Sequence, residues 1–164
     1  MSTQANPFAP RCALDPDRRQ SPAAAAIGRG AMRLLRRNGL STIAEVTLST
    51  GRRADIVALA ETGEIWIVEV KSCLADFRAD LKWHEYQAYA DRLWFAVGTD
   101  FPLDVLPETA GHIVCDAYGG GIEREAPVVP LAAARRKAMH LRFARVAADR
   151  LARAIDPAPL DLHP

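Results

Sequence analysis

Apolar and polar positions alternate in a way that predicts a β-meander in the first half of the chain. The run from Ala54 to Leu59 and the run from Ile65 to Val70 are apolar and partly β-branched. Between them lies Glu61-Thr62-Gly63, a short break ending in Gly. That combination predicts a hairpin, and a loop with Gly last suits a type I turn closing on a left-handed residue. Centring the loop on Thr62 sets Asp55 opposite Glu69 and Arg53 opposite Lys71. The stretch Thr42–Leu48, followed by Ser49-Thr50-Gly51, repeats the arrangement. Centring that loop on Thr50 sets Glu45 opposite Asp55 and Thr47 opposite Arg53. Side chains alternate faces with period two, so Glu45, Asp55 and Glu69 should form one row, with Lys71 a step along. Ile43, Val57 and Ile67 continue that face. Ala44, Ile56 and Val68, then Val46, Ala54 and Val70, should form the opposite one.

The remaining pattern supplies flanking helices and further strands. Ser21-Pro22 predicts a helix start and Asn38-Gly39 its end. Ile27, Ala31, Leu34 and Leu35 share a face of that helix. Gly28 and Gly30 point weakly to close packing. A second helix is expected over 74–89, with Leu74, Phe77, Leu81 and Ala88 as its core stripe. Arg92–Val97 reads as a buried strand. Strands are also expected over 112–117 and 122–126, joined by Gly119-Gly120-Gly121, and a last helix over 131–155. The order predicts an α/β fold, a mixed sheet flanked by helices. We expect a tail over 1–20, a single domain over 21–156 and a tail over 157–164.

Composition adds limits. At 164 residues, with 49% hydrophobic and 25% charged residues, the chain suits one domain with a real core. Neither a membrane-spanning run nor a secretory segment is visible, so a cytoplasmic protein without membrane association is expected. Cys12, Cys73 and Cys115 form neither a disulfide framework nor a zinc pattern, which suits a reducing compartment. The net charge of +1 hides an uneven distribution. The first helix carries Arg29, Arg33, Arg36 and Arg37 with no acid. The last carries Arg135, Arg136, Lys137, Arg142, Arg145, Arg150 and Arg153 against Asp149 alone. Basic helices on a near-neutral chain suggest a polyanionic partner, DNA in particular.

The carboxylate row carries the chemistry. Like charges directly opposite on a sheet destabilise it. A divalent cation would compensate, since Mg²⁺ is commonly held by one or two carboxylates and a substrate phosphate. The plainer alternative is a solvated sheet end with carboxylates paired to Arg52, Arg53 or Lys71.

Asp55 followed by Glu69-Val70-Lys71 resembles the signature of the PD-(D/E)xK nuclease superfamily. The longer run includes Arg52-Arg53-Ala54-Asp55, Glu69-Val70-Lys71-Ser72, Asp76-Phe77-Arg78-Ala79-Asp80, Lys82-Trp83 and Asp91-Arg92-Leu93-Trp94-Phe95-Ala96-Val97. It resembles the MmcB-like DNA repair proteins, over about 23–155. Ala54 stands at the motif's proline position, and the first helix lacks the acid many superfamily members place there. Two alternatives stand: Glu45 replaces that acid from a strand, or the site manages with two carboxylates.

The resemblance implies a restriction-endonuclease-like core and a metal-dependent nuclease acting in DNA repair. Asp55, Glu69 and the Val70 carbonyl would hold Mg²⁺ or Mn²⁺, with Glu45 as a further ligand. Lys71 would assist water activation. Arg52, Arg53, Lys82, Arg135, Arg136 and Lys137 are candidate DNA contacts. Trp83 reads as a core residue ahead of a base-stacking one. The alternatives are a non-catalytic DNA-binding repair module with a decayed site, and an RNA-processing nuclease.

Overall fold

The computed structural model describes residues 21–157. The expected tail over 1–20, and all but residue 157 of the expected C-terminal tail, lie outside the described residues. The order is α1 (Pro22–Arg37), β1 (Ser41–Thr47), β2 (Arg53–Leu59), β3 (Ile65–Lys71), α2 (Leu74–Ala79), a 3-10 helix (Trp83–Tyr89), β4 (Arg92–Val97), a 3-10 turn (Leu103–Val105), β5 (Gly111–Cys115), β6 (Gly120–Arg124) and α3 (Ala133–Ile155). The strands form one six-stranded sheet in the order β1-β2-β3-β4-β5-β6. Pairs β1–β2, β2–β3 and β5–β6 are antiparallel, and β3–β4 and β4–β5 are parallel. This is the expected mixed sheet.

Both hairpin loops close as their sequences imply. Gly51 and Gly63 adopt φ +81 and +85, the left-handed region that glycine enters without a Cβ penalty. The Leu48 and Ala60 N–H groups donate to the Arg52 and Glu64 carbonyls, at 2.7 and 3.0 Å. The expected registers follow: Ile43 opposes Val57, and Val57 opposes Ile67.

The faces do not alternate cleanly. Val46 and Ala54 pack with Ile43, Val57 and Ile67, while Ile56, Ala58, Val68 and Val70 pack on the other side. Their expected place beside Ala44 and Ile56 is therefore corrected. The cause lies between them, where Glu45 takes φ 52, outside the β region. The ladder skips Glu45 and Asp55 yet resumes in the same register at Val46 and Ala54. The pleat turns over there without losing a residue.

Helices cover both faces. Ser21 caps α1, its hydroxyl accepting the Ala24 N–H at 3.1 Å. Ile27, Ala31, Leu34 and Leu35 pack on Val68, Val70, Trp94 and Ile113. The other face carries Leu93, Phe95 and Val97 beneath Tyr86, Tyr89, Met139 and Phe143.

The helix expected over 74–89 is broken. It stops at Asp80, and a 3-10 helix resumes at Trp83. Asp80 directs one carboxylate oxygen to Lys71 and the other to the Lys82 N–H at 3.2 Å. A side chain competing for backbone N–H groups in this way ends helices. Leu81 is 78% exposed and Ala88 is exposed, so neither belongs to a core stripe. Trp83 packs edge-on against Phe95 at 5.4 Å, the core role expected of it. Cys73 is disulfide-bonded, against the expectation of unbridged thiols.

The long α3 is tied down by a buried carboxylate. Asp91 is 1% exposed and lies just before β4. It accepts the Ile65 and Leu131 N–H groups, each at 2.8 Å, and both ends of the Arg136 guanidinium at 2.8 and 2.6 Å. One side chain thus joins the start of β3, the approach to α3 and α3 itself.

Candidate functional site

β2 and β3 run as a regular ladder only as far as Ile56 and Val68. Beyond that pair the strands part, and two carboxylates take up the freed backbone groups. Asp55 Oδ2 accepts the Val70 N–H at 2.8 Å. The Asp55 N–H in turn donates to Glu69 Oε1 at 3.3 Å. The expected opposition of Arg53 and Lys71 as a ladder pair is not made. Asp55 and Glu69 do meet, and Lys71 is close enough to act on both carboxyls.

The setting is dry. Glu69 is 3% exposed and Lys71 5%. Burial, then the charge of Asp55, pushes the Glu69 carboxyl well above its ordinary range. Burial also raises Asp55, although the Val70 N–H and Lys71 oppose it. Lys71 places its amine 2.6 Å from Asp80 Oδ2. Burial alone would lower the Lys71 amine, but Asp80 and Glu69 outweigh it and the amine is held up.

α2 completes this corner. Asp76 accepts the Ser72 N–H at 3.1 Å, which turns the chain away from β3. Tyr86, from the 3-10 helix, donates to the Arg53 carbonyl at 3.0 Å. Its hydroxyl is pushed up to about 12 by burial and by the Glu69 charge. Asp80 and Tyr86 join the site from outside the motif. Asp76 and Asp80 lie four residues apart, with Arg78 and Lys82 as nearer basic neighbours in the chain than Lys71 is to Asp80.

Glu45 does not join. Its half-exposed carboxylate pairs with Arg53 Nη1 at 3.3 Å. Its backbone carbonyl accepts from Arg150 at 2.9 Å, and Ala44 accepts from the same guanidinium. The left-handed turn at Glu45 swings the side chain out of the row. Among the described residues no three His, Cys, Asp or Glu side chains gather as they would around a metal ion. The three-carboxylate row is therefore corrected to two carboxylates.

Those two still suit a hard cation. In a strand, a residue's N–H and C=O point to the same neighbour. Val70 directs its N–H to Asp55, so its carbonyl faces the same gap. Two carboxylates and a carbonyl are an oxygen donor set of the kind Mg²⁺ accepts, with substrate and water completing the shell.

The expected DNA contacts divide. Arg52 Nε pairs with Glu85 at 2.7 Å and its guanidinium lies over the Tyr86 ring. Lys82 and Lys137 are exposed. Arg135 stacks over the Tyr89 ring at 4.6 Å. Arg136 is corrected: its fork is locked on Asp91 and is not free for phosphate. Arg142 likewise donates to the Thr47 carbonyl at 2.6 Å. Arg142 and Arg150 thus hold the edge strand β1 against α3.

Residues 12–158 match the family described as DNA repair protein MmcB-like. The chain belongs to the MmcB-like DNA repair family. A solved structure from Silicibacter pomeroyi, titled SPO1766 protein of unknown function, is similar across the fold. It is 39% identical, with a TM-score of 0.82, covering 87% of this chain and 97% of that one. No curated protein matches. Family membership places this MmcB-like chain in DNA repair. Among the described residues no helix is long and apolar enough to cross a membrane.

Proposed function

We propose that this protein is a divalent-metal-dependent DNA nuclease of the PD-(D/E)xK type. The observation that carries the reading is the parting of β2 and β3. It brings Asp55, Glu69 and the Val70 carbonyl to one dry gap, with Lys71 beside them. Asp55, Glu69 and Val70 would hold Mg²⁺ or Mn²⁺. The ion would polarise the scissile phosphate and lower the pKa of a bound water.

The chain's own groups do the rest. The Asp55 carboxylate is oriented by the Val70 N–H. Lys71 stands on the same face of β3 as Glu69. There it orients the attacking water and offers positive charge to the transition state. Asp80 keeps the Lys71 amine charged and aimed. Arg52 and Arg53 border the gap and suit the flanking phosphates.

The test is purified protein on single-stranded, duplex, flapped and branched DNA, with Mg²⁺, Mn²⁺ or EDTA. Cleavage that needs metal and falls in Lys71→Ala supports the reading. Tight DNA binding without cleavage in any metal overturns it and leaves the non-catalytic repair module. Cleavage of RNA alone would assign an RNA-processing enzyme.

A further inference from the structure

The β5–β6 turn, Asp116 to Gly119, leaves the sheet at the end where β3 closes with Lys71. Lys71 aligns with Val97 and Val97 with Val114, so this turn begins two strands away, about 10 Å. It leans over α1 and is held rigidly. Asp116 Oδ1 accepts the Tyr118 and Gly119 N–H groups at 2.7 and 2.9 Å, and the Asp116 N–H reaches the Gly119 carbonyl at 2.9 Å. Arg33 donates to the Ala117 carbonyl at 2.7 Å. Gly30 lets the helix approach this closely, because a Cβ there would strike the carbonyls of Asp116 and Gly119.

At the tip stands Tyr118, a large aromatic ring that is 80% exposed on a fixed backbone. Arg37 lies against Gly119, and a concavity joins Arg37, Thr99, Asp116 and Tyr118. Arg29, Arg33 and Arg37 follow one another at four-residue spacing along α1, about 6 Å apart. Among the described residues no carboxylate forms an ion pair with any of them. Asp116 is the acid at hand. The Tyr118 and Gly119 N–H groups, and the charge of Arg33, hold its carboxyl below the ordinary range. Arg33 answers that acid, and Arg29 and Arg37 keep the row basic.

We propose that the α1 arginine row and the Tyr118 ring form a binding face for single-stranded DNA, the arginines tracking the backbone and Tyr118 stacking on an unpaired base. A basic track beside an exposed ring is the usual composition of such surfaces. The rigid turn leaves little ordering cost for the ring to add on binding. This rests on the DNA-acting reading above and narrows it to strands with unstacked bases. A duplex offers the arginines its phosphates but offers Tyr118 no free base face.

The test is fluorescence anisotropy with labelled oligo-dT, a duplex of the same length and oligo-U, across a salt series. Tyr118→Ala should weaken oligo-dT binding roughly five- to hundredfold. Duplex affinity and the salt slope should not change, and Tyr118→Trp should keep the affinity. The double variant Arg29→Ala/Arg37→Ala should flatten the oligo-dT salt slope by about 1.4, at roughly 0.7 for each phosphate left unneutralised. Unchanged oligo-dT binding in a natively melting Tyr118→Ala overturns this inference alone. Equal loss on duplex and single strand overturns the stacking role. Preference for oligo-U that depends on Tyr118 makes RNA the occupant. Wild type that binds none of the three overturns the DNA-acting reading and this inference with it.

Discussion

Lys71, at the end of β3, meets Asp80, at the break between α2 and the 3-10 helix, at 2.6 Å. The contact explains both the broken helix and the charged state of a lysine that is almost wholly buried. Breaking a buried pair by removing one partner usually costs several kcal/mol. Asp80 is 22% exposed at its side chain, so water recovers part of that here. Asp80→Asn should therefore destabilise by about 1–3 kcal/mol, read as a lower urea midpoint. Adding Lys71→Met should recover part of the loss, because the buried amine that lost its carboxylate is gone. A double variant worse than the sum of the singles would contradict the pairing.

Lys71 itself separates structure from chemistry. Lys71→Ala should cut turnover by about 10² or more, the usual scale for losing a transition-state donor. The metal-induced rise in melting temperature should survive, since the donors are Asp55, Glu69 and Val70. Wild-type cleavage rates in this variant would make the lysine purely structural.

The Glu69 carboxyl is raised by burial and by Asp55, which fixes the sign of a pH effect. A folded-state value above the unfolded one means that the native protein binds the extra proton. Stability then falls as pH rises from about 4.3, the unfolded value, through the raised native value. Without metal, Glu69→Gln should therefore melt above wild type at neutral pH. That advantage should vanish below about pH 4. Added Mg²⁺ or Mn²⁺ should stabilise wild type in proportion to occupancy and leave Glu69→Gln nearly unmoved. A variant that melts below wild type at neutral pH, with no metal response in either protein, would make Glu69 a structural acid.

These residues show what was legible in the chain. Each hairpin register rested on a Gly-ended loop, and Gly51 and Gly63 take the left-handed conformation that fixes it. Once the registers were set, Asp55, Glu69 and Lys71 fell on one face. The turn at Glu45 was hidden, because a glutamate with positive φ carries no sequence mark. Its cause lies far away, in the Arg150 guanidinium that holds the Ala44 and Glu45 carbonyls. The same holds for α2, whose stop is set by a lysine on β3. Arg136 looked like a phosphate contact because Asp91, its partner, is 45 residues away in the chain.

Asp91 and Arg136 predict a second pH effect, of opposite sign. Burial would raise the Asp91 carboxyl, but the Ile65 and Leu131 N–H groups and Arg136 outweigh it and hold it below the ordinary range. Its stabilisation is fully present above the unfolded value of about 3.9 and is lost as pH falls through the lowered native value. Arg136→Ala leaves a buried carboxylate without its counter-ion and should cost about 3 kcal/mol at neutral pH, with a smaller cost near pH 3. Its effect on DNA affinity of the folded protein should be slight. A variant of native stability with weakened, less salt-dependent DNA binding would return Arg136 to the interface.

Gly30 sets two effects of known sign against each other. Alanine is a better helix former than glycine by about 1 kcal/mol, so Gly30→Ala would stabilise an isolated α1. In this fold its Cβ would meet the Asp116 and Gly119 carbonyls. Those are backbone atoms in a turn braced by Asp116 and Arg33, so no flexible side chain can yield. Overpacking against a fixed neighbour typically costs about 1–3 kcal/mol, and the turn must lift away before it is relieved. The clash should win, and Gly30→Ala should melt below wild type. Gly28→Ala is the internal control, because its nearest neighbour is the Val70 methyl at 3.8 Å, an ordinary contact. That variant should be neutral or slightly more stable. Matching melts for the two would mean that the β5–β6 turn does not rest on α1, and the rigid seat argued for Tyr118 would go with it.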